Sequence, residues 1–223
     1  MKLQNENFAH NIKMYTKSME SVIDDCRDWA KEISKTYQPD LIIFIAKSGF
    51  LFAKPIAEFL NCEMVDIVAA RPGSDTKNRF KKLIEHIPER IVLEILGSSF
   101  MYRFNEKKNE RKIEVTSRYE KERQKKHKKI LIIDDSVDTG WTMQNVLKEA
   151  KASFGEAEIK IASYSVITYS KRRINVDYYR YEDAIVMTAT SRRSKQHTDF
   201  LRNYDEWIAE CEKENKKDDK KSN

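Results

Sequence analysis

The stretch ILIIDDSVDTGWTM, residues 130–143, decides the fold, because it passes from a buried strand to an acidic pair and then to an anion cradle. Ile130, Leu131, Ile132 and Ile133 form the short unbroken apolar run of a parallel strand covered on both faces. Asp134 and Asp135 end that run. Asp138, Thr139, Gly140, Trp141 and Thr142 then lead into an amphipathic run through Ala150, which gathers hydroxyls and backbone N–H groups at a helix N-terminus. A terminus of this kind binds phosphate. Two carboxylates beside a phosphate cradle repel the ligand unless it also offers them something to hold, and a ribose diol offers hydroxyl donors. The stretch therefore points to a sugar phosphate.

The strand, the paired acids, the Asp-Thr-Gly and the following Thr resemble the 5-phosphoribosyl-1-diphosphate (PRPP) signature of type I phosphoribosyltransferases. A strand ending in Asp-Asp also opens a response-regulator receiver domain, but at the start of the domain, whereas here it lies past the middle of the chain. An ordinary helix cap would account for Asp138 and Thr139 and would leave the acid pair unexplained. The resemblance implies an α/β fold with a parallel-sheet core, helices on both faces, and an inserted lid and helical segment. It implies transfer of a 5-phosphoribosyl group from PRPP to a nitrogenous acceptor, of purine type, with release of diphosphate and use of Mg²⁺. Within it, Asp134 and Asp135 hold the ribose hydroxyls or the metal, Thr139, Gly140, Trp141 and Thr142 hold the 5-phosphate, and Asp138 acts on the acceptor nitrogen.

A second match lies upstream. Leu41 to Ile45 is apolar, and Ala46, Lys47, Ser48 and Gly49 follow it before an apolar helical run over residues 50–60. Ligands of parallel α/β sheets collect beyond the carboxyl ends of the strands, and two such loops side by side hold two ends of one anion. Lys47, Ser48 and Gly49 resemble the family's diphosphate-binding loop, with Phe50 where many members have a second glycine. Residues 63–70 form the next expected strand, and Arg71 after it is a further diphosphate candidate. At the other end of the chain, residues 157–168, 176–181 and 184–188 are expected strands. There Tyr178, Tyr179 and Asp183 match the base-binding edge of the hypoxanthine-type enzymes. The lysine that usually reads the purine 6-oxo group is replaced by Ile167, with Lys171 as its substitute from the basic turn 171–173.

The 223 residues suit one domain, expected over residues 1–212 with a disordered tail at 213–223. A charged fraction of 35% and a mean hydropathy of −0.72 argue a soluble chain. No apolar run reaches membrane-spanning length and MKLQNENFAH lacks a signal-peptide core, so cytoplasmic residence without a membrane partner is expected. The three cysteines, Cys26, Cys62 and Cys211, have no metal-ligand spacing. Apolar residues recur at helical steps over residues 6–37, predicting one amphipathic helix or two in succession.

Charge is concentrated at one place. Residues 107–129 hold 11 Lys or Arg against 4 Glu, an excess of seven where the whole chain carries +6. This stretch closes an insertion at residues 74–129 whose first part has helical apolar spacing. The resemblance makes it a mobile lid over the diphosphate, with Ser117, Arg118 and Tyr119 at the tip of a strand pair. A homodimer is the expected assembly. Three alternatives stay open from the residues alone: a nucleotide-sensing regulator without turnover, an RNA-binding protein using the basic stretch, and an enzyme of this fold with a non-purine acceptor.

Overall fold

A computed structural model describes the backbone of residues 12–70 and 112–221. Its main sheet has six strands: β2 (Leu41–Ala46), β3 (Glu63–Ala70), β4 (Lys112–Val115), β5 (Lys129–Val137), β6 (Glu158–Val166) and β7 (Tyr178–Glu182), in the order β4-β3-β2-β5-β6-β7. All neighbours are parallel except β4, which runs antiparallel on the outer edge of β3. Helices α1 (Met19–Ser34), α2 (Phe50–Leu60) and α5 (His197–Lys221) pack on one face, and α4 (Trp141–Phe154) on the other. The apolar runs of β2 and β5 alternate between these two layers: Ile42, Phe44, Leu131 and Ile133 face the first, while Leu41, Ile43, Ile130 and Ile132 face the second. This is why both strands lack polar positions.

Helix α1 has the apolar spacing expected of it. Val22, Cys26, Trp29, Ala30 and Ile33 are buried along one side, and Ser18 caps its start by accepting from the Ser21 N–H at 3.2 Å. Residues 13–16, however, form strand β1, where helix was predicted. It pairs in parallel with β8 (Ala184–Met187) in a separate two-stranded sheet. Partnership with a strand some 170 positions away overrides the local helical spacing of Tyr15 and Met19.

Three other expectations change. Strand β5 does not stop at the acid pair but continues through Val137 beside β6, with Asp134 opposite Ser163 and Val137 opposite Val166. The tip proposed at Ser117, Arg118 and Tyr119 is instead the first turn of helix α3 (Ser117–Arg123), capped by Thr116. Arg118 donates to both carboxylate oxygens of buried Asp66 on β3, each at 2.9 Å, and Tyr119 is fully buried. These residues are tied to the sheet and do not stand at the tip of a strand pair. Within the basic stretch Arg118, Arg123 and Lys125 are paired with Asp66, Glu120 and Glu122, which lowers the field that the nucleic-acid alternative requires. Helix α5 runs through Lys221, so the backbone of most of the tail expected to be disordered is helical; Lys and Glu are good helix formers. Residues 107–111 of the proposed lid and the helical spacing of residues 84–104 lie outside the described residues.

Candidate active site

Strand order locates a crevice. From β2 the chain moves outward to β3 on one side, and from β5 it moves to β6 on the other, so the connectivity reverses between β2 and β5. Ligands of open α/β sheets bind outside the carboxyl ends at such a point. The pairing of β2 with β5 ends at Phe44 and Ile133, and the next residue of β5 is Asp134. Beyond it β5 is paired with β6. The acid pair thus stands where the two central strands part.

Gly49 brings the upstream loop against this point. A Cβ built on it would lie 2.8 Å from the Ile45 carbonyl oxygen and 3.0 Å from that of Ile133, both rigid backbone atoms. Only the absence of a side chain permits the approach. The loop also contains a cis peptide between Ala46 and Lys47. Ser48 is half-buried. The Lys47 ammonium lies 3.7 Å from Asp205 and over the ring of Tyr204, so helix α5 reaches the rim of the site.

Asp134 is buried and accepts from the Asp135 N–H at 2.9 Å, while Asp135 is half-buried and accepts from the Ser136 N–H at 2.9 Å. Burial, and then the charge of Asp135, hold the Asp134 carboxyl well above the usual carboxylate range. Such a group favours a cation or a hydroxyl partner that relieves the repulsion. After Val137 come exposed Asp138 and half-buried Thr139, then Gly140 at φ +80° as the N-cap of α4, with Trp141 and Thr142 in its first turn. Among the described residues no side chain caps this helix, which leaves its first amides for a ligand.

The loop at residues 138–142 has an opposite wall that the sequence did not disclose. After β6 a 3-10 turn (Thr168–Arg172) folds back so that Arg173 donates from Nη1 to the Thr139 carbonyl, and its guanidinium lies 3.9 Å from the centroid of Trp141. A Cβ on Gly140 would meet the Ile174 side chain at 2.8 Å. A run of basic residues after a strand was the only local signal for this contact; nothing in it names a partner 34 positions away.

The acceptor-side residues are placed differently from expectation. Strand β7 begins at Tyr178, opposite Ala162, so both tyrosines enter near its amino end. The Tyr178 hydroxyl lies 2.9 Å from that of Thr36, between α1 and β2, so it is directed to the amino ends of the strands, opposite the crevice. Tyr179 is exposed on the edge strand with the Lys171 ammonium 4.9 Å above its ring. Lys171 itself is paired with Glu182, not held toward a base. Asp183, at φ +47°, accepts from the N–H and hydroxyl of Thr168 at 2.7 and 2.8 Å. It anchors the 168–172 turn instead of facing outward. Arg71 lies outside the described residues.

The model for the phosphoribosyl transferase domain matches residues 12–188. The chain belongs to the phosphoribosyl transferase domain family. Solved structures share the fold at low identity. A purine phosphoribosyltransferase from Pyrococcus horikoshii Ot3 is 18% identical, with a TM-score of 0.51 over 79% of this chain and 92% of its own. A Helicobacter pylori xanthine-guanine-hypoxanthine phosphoribosyltransferase is 16% identical, with a TM-score of 0.55 over 78% and 92%. A Neisseria gonorrhoeae hypothetical protein with bound ppGpp is also 16% identical, with a TM-score of 0.56 over 86% and 96%. No curated protein matches the chain significantly. Among the described residues no helix is long and apolar enough to cross a membrane.

Proposed function

We propose that the chain is a PRPP-dependent pentosyltransferase that moves the 5-phosphoribosyl group to a purine-type base and releases diphosphate. The observation that carries this reading is the crevice between β2 and β5, where Gly49, Asp134 and the uncapped start of α4 converge. Thr139, Gly140, Trp141 and Thr142 hold the 5-phosphate. Asp134 and Asp135 hold the ribose hydroxyls. Lys47, Ser48 and Gly49 receive the diphosphate, Lys47 exchanging Asp205 for a stronger anion, with Arg71 as a further candidate. Asp138, exposed on the loop, takes the acceptor's proton or stabilises the positive charge that develops on the sugar.

The family generally uses Mg²⁺ with PRPP. The described residues contain no cluster of three or more His, Cys, Asp or Glu placed to hold a metal. Two adjacent carboxylates suit an ion whose other ligands are waters and substrate oxygens, so Asp134 and Asp135 fit Mg²⁺ bound through PRPP. When bound, the ion neutralises charge on the leaving diphosphate.

The purified chain, incubated with PRPP, Mg²⁺ and a panel of purine and non-purine bases, is expected to release diphosphate with a purine base. PRPP binding without release for any base would overturn turnover, and release only with a non-purine would overturn the acceptor class.

A further inference from the structure

The turn after β6 meets the phosphate loop through three independent contacts, all made by one short segment. Arg173 grips the Thr139 carbonyl, its guanidinium lies over the ring of Trp141 at 3.9 Å from the centroid, and Ile174 fills the space above the bare Cα of Gly140. The turn is itself held from both ends, since Thr168 is bonded to Asp183, and the N–H groups of Arg173 and Ile174 donate to the Ser170 carbonyl at 2.8 and 3.1 Å. Among the described residues the indole Nε1–H of Trp141 is buried without a partner at the same place, a donor beside the cradle that a ligand oxygen would satisfy.

A loop that binds phosphate through its amides must keep its carbonyls turned away, because a carbonyl oxygen facing the anion repels it. Thr139 precedes the glycine at which the chain reverses into α4, so the direction of its carbonyl sets the direction of the Gly140 N–H. We propose that Arg173 is a positioning residue for the 5-phosphate site: by holding the Thr139 carbonyl outward and clamping Trp141, it keeps the loop amides and the indole N–H directed at the ligand. The inference rests on the reading of this loop as the 5-phosphate site of PRPP. It also makes the acceptor-side turn one wall of that site, so Asp183, through Thr168, acts on phosphate binding rather than on the base.

The test measures PRPP binding with Mg²⁺ by calorimetry, and steady-state kinetics, for the wild-type chain, Arg173→Ala, Arg173→Lys and Arg173→Gln. A hydrogen bond from a charged group that stacks on a ring supports a loss of roughly tenfold to a hundredfold on truncation. Arg173→Ala is expected to raise the PRPP KM and Kd by about that factor, with kcat changed much less and the KM for the base unchanged. Lysine, which keeps charge and donor but not the planar guanidinium, is expected to fall between. Glutamine tests whether a neutral donor to Thr139 suffices. Trp141 emission should shift in Arg173→Ala before ligand is added, a change that Trp141→Phe removes. Wild-type binding with Arg173→Ala equal to it, or a loss in kcat alone, overturns the inference and leaves the function standing. If Arg173→Ala does not fold, wild-type PRPP affinity in both the lysine and glutamine variants overturns it. Failure of the wild-type chain to bind PRPP overturns the reading of the loop, and the inference with it.

Discussion

Asp134 is a residue whose proposed ligand role works against the fold. Its carboxyl is raised in the folded protein by burial and by Asp135, so the folded state holds a proton that the unfolded chain releases near pH 4. A raised acid stabilises the fold only at low pH, and stability is lost as pH climbs from the unfolded value through the folded one. Asp134→Asn should therefore melt higher than wild type at neutral pH, with the difference vanishing below about pH 4, while PRPP binding falls sharply. Equal melting temperatures across that range in paired thermal scans would show that the buried acid carries no such cost. Asp138 is exposed and its replacement tests chemistry more than folding. Asp138→Ala is expected to lower turnover by about 10² to 10⁴ with a smaller effect on PRPP affinity, and near-normal turnover would remove it from the mechanism.

Elements here are fixed by a few buried contacts. Asp66 on β3 accepts two hydrogen bonds from Arg118, one from Thr116 at 3.0 Å and one from the Tyr204 hydroxyl at 3.3 Å. Helices α3 and α5 are thus joined to the sheet at one carboxylate. Arg118→Ala leaves that charge buried and uncompensated and should cost about 3–5 kcal/mol, read as a lower denaturation midpoint. Amide exchange across residues 117–123 should be slow and indifferent to PRPP; protection that appears only with PRPP would restore the lid assignment for this helix. The loop at Gly49 gives a complementary case. Gly49→Ala sets a methyl against the Ile45 and Ile133 carbonyls and must push the loop off β5, so PRPP affinity should drop while α1 and α5 stay folded by circular dichroism.

Across the whole molecule, the C-terminal helix completes the core beside the site. Phe44 and Phe50 pack edge-on or tilted against Tyr204 and Trp207, with ring centroids 5.2–6.5 Å apart. Trp207→Ala should destabilise the chain by about 3–5 kcal/mol, and truncation before residue 197 should leave these rings uncovered and the protein unfolded in chemical denaturation. Saturating PRPP with Mg²⁺ should raise the melting temperature of the intact chain, by about 2.7 kcal/mol of stability at a hundredfold excess over Kd. The local information was strong where a strand is buried on both faces, as at residues 41–46 and 130–133, because an unbroken apolar run has no other stable home. It was equally strong over residues 134–142, where an acid pair is followed by Asp-Thr-Gly at a helix start, and together with the loop at residues 46–49 that stretch was enough to recognise the family. Local spacing misjudged residues 13–16 and 117–119, whose states depend on partners distant in the chain: β8 and Asp66. Arg173 was invisible for the same reason. A charged side chain carries no periodicity that names its acceptor, and only the folding of the 168–172 turn onto Gly140 decided that its partner is the carbonyl of Thr139.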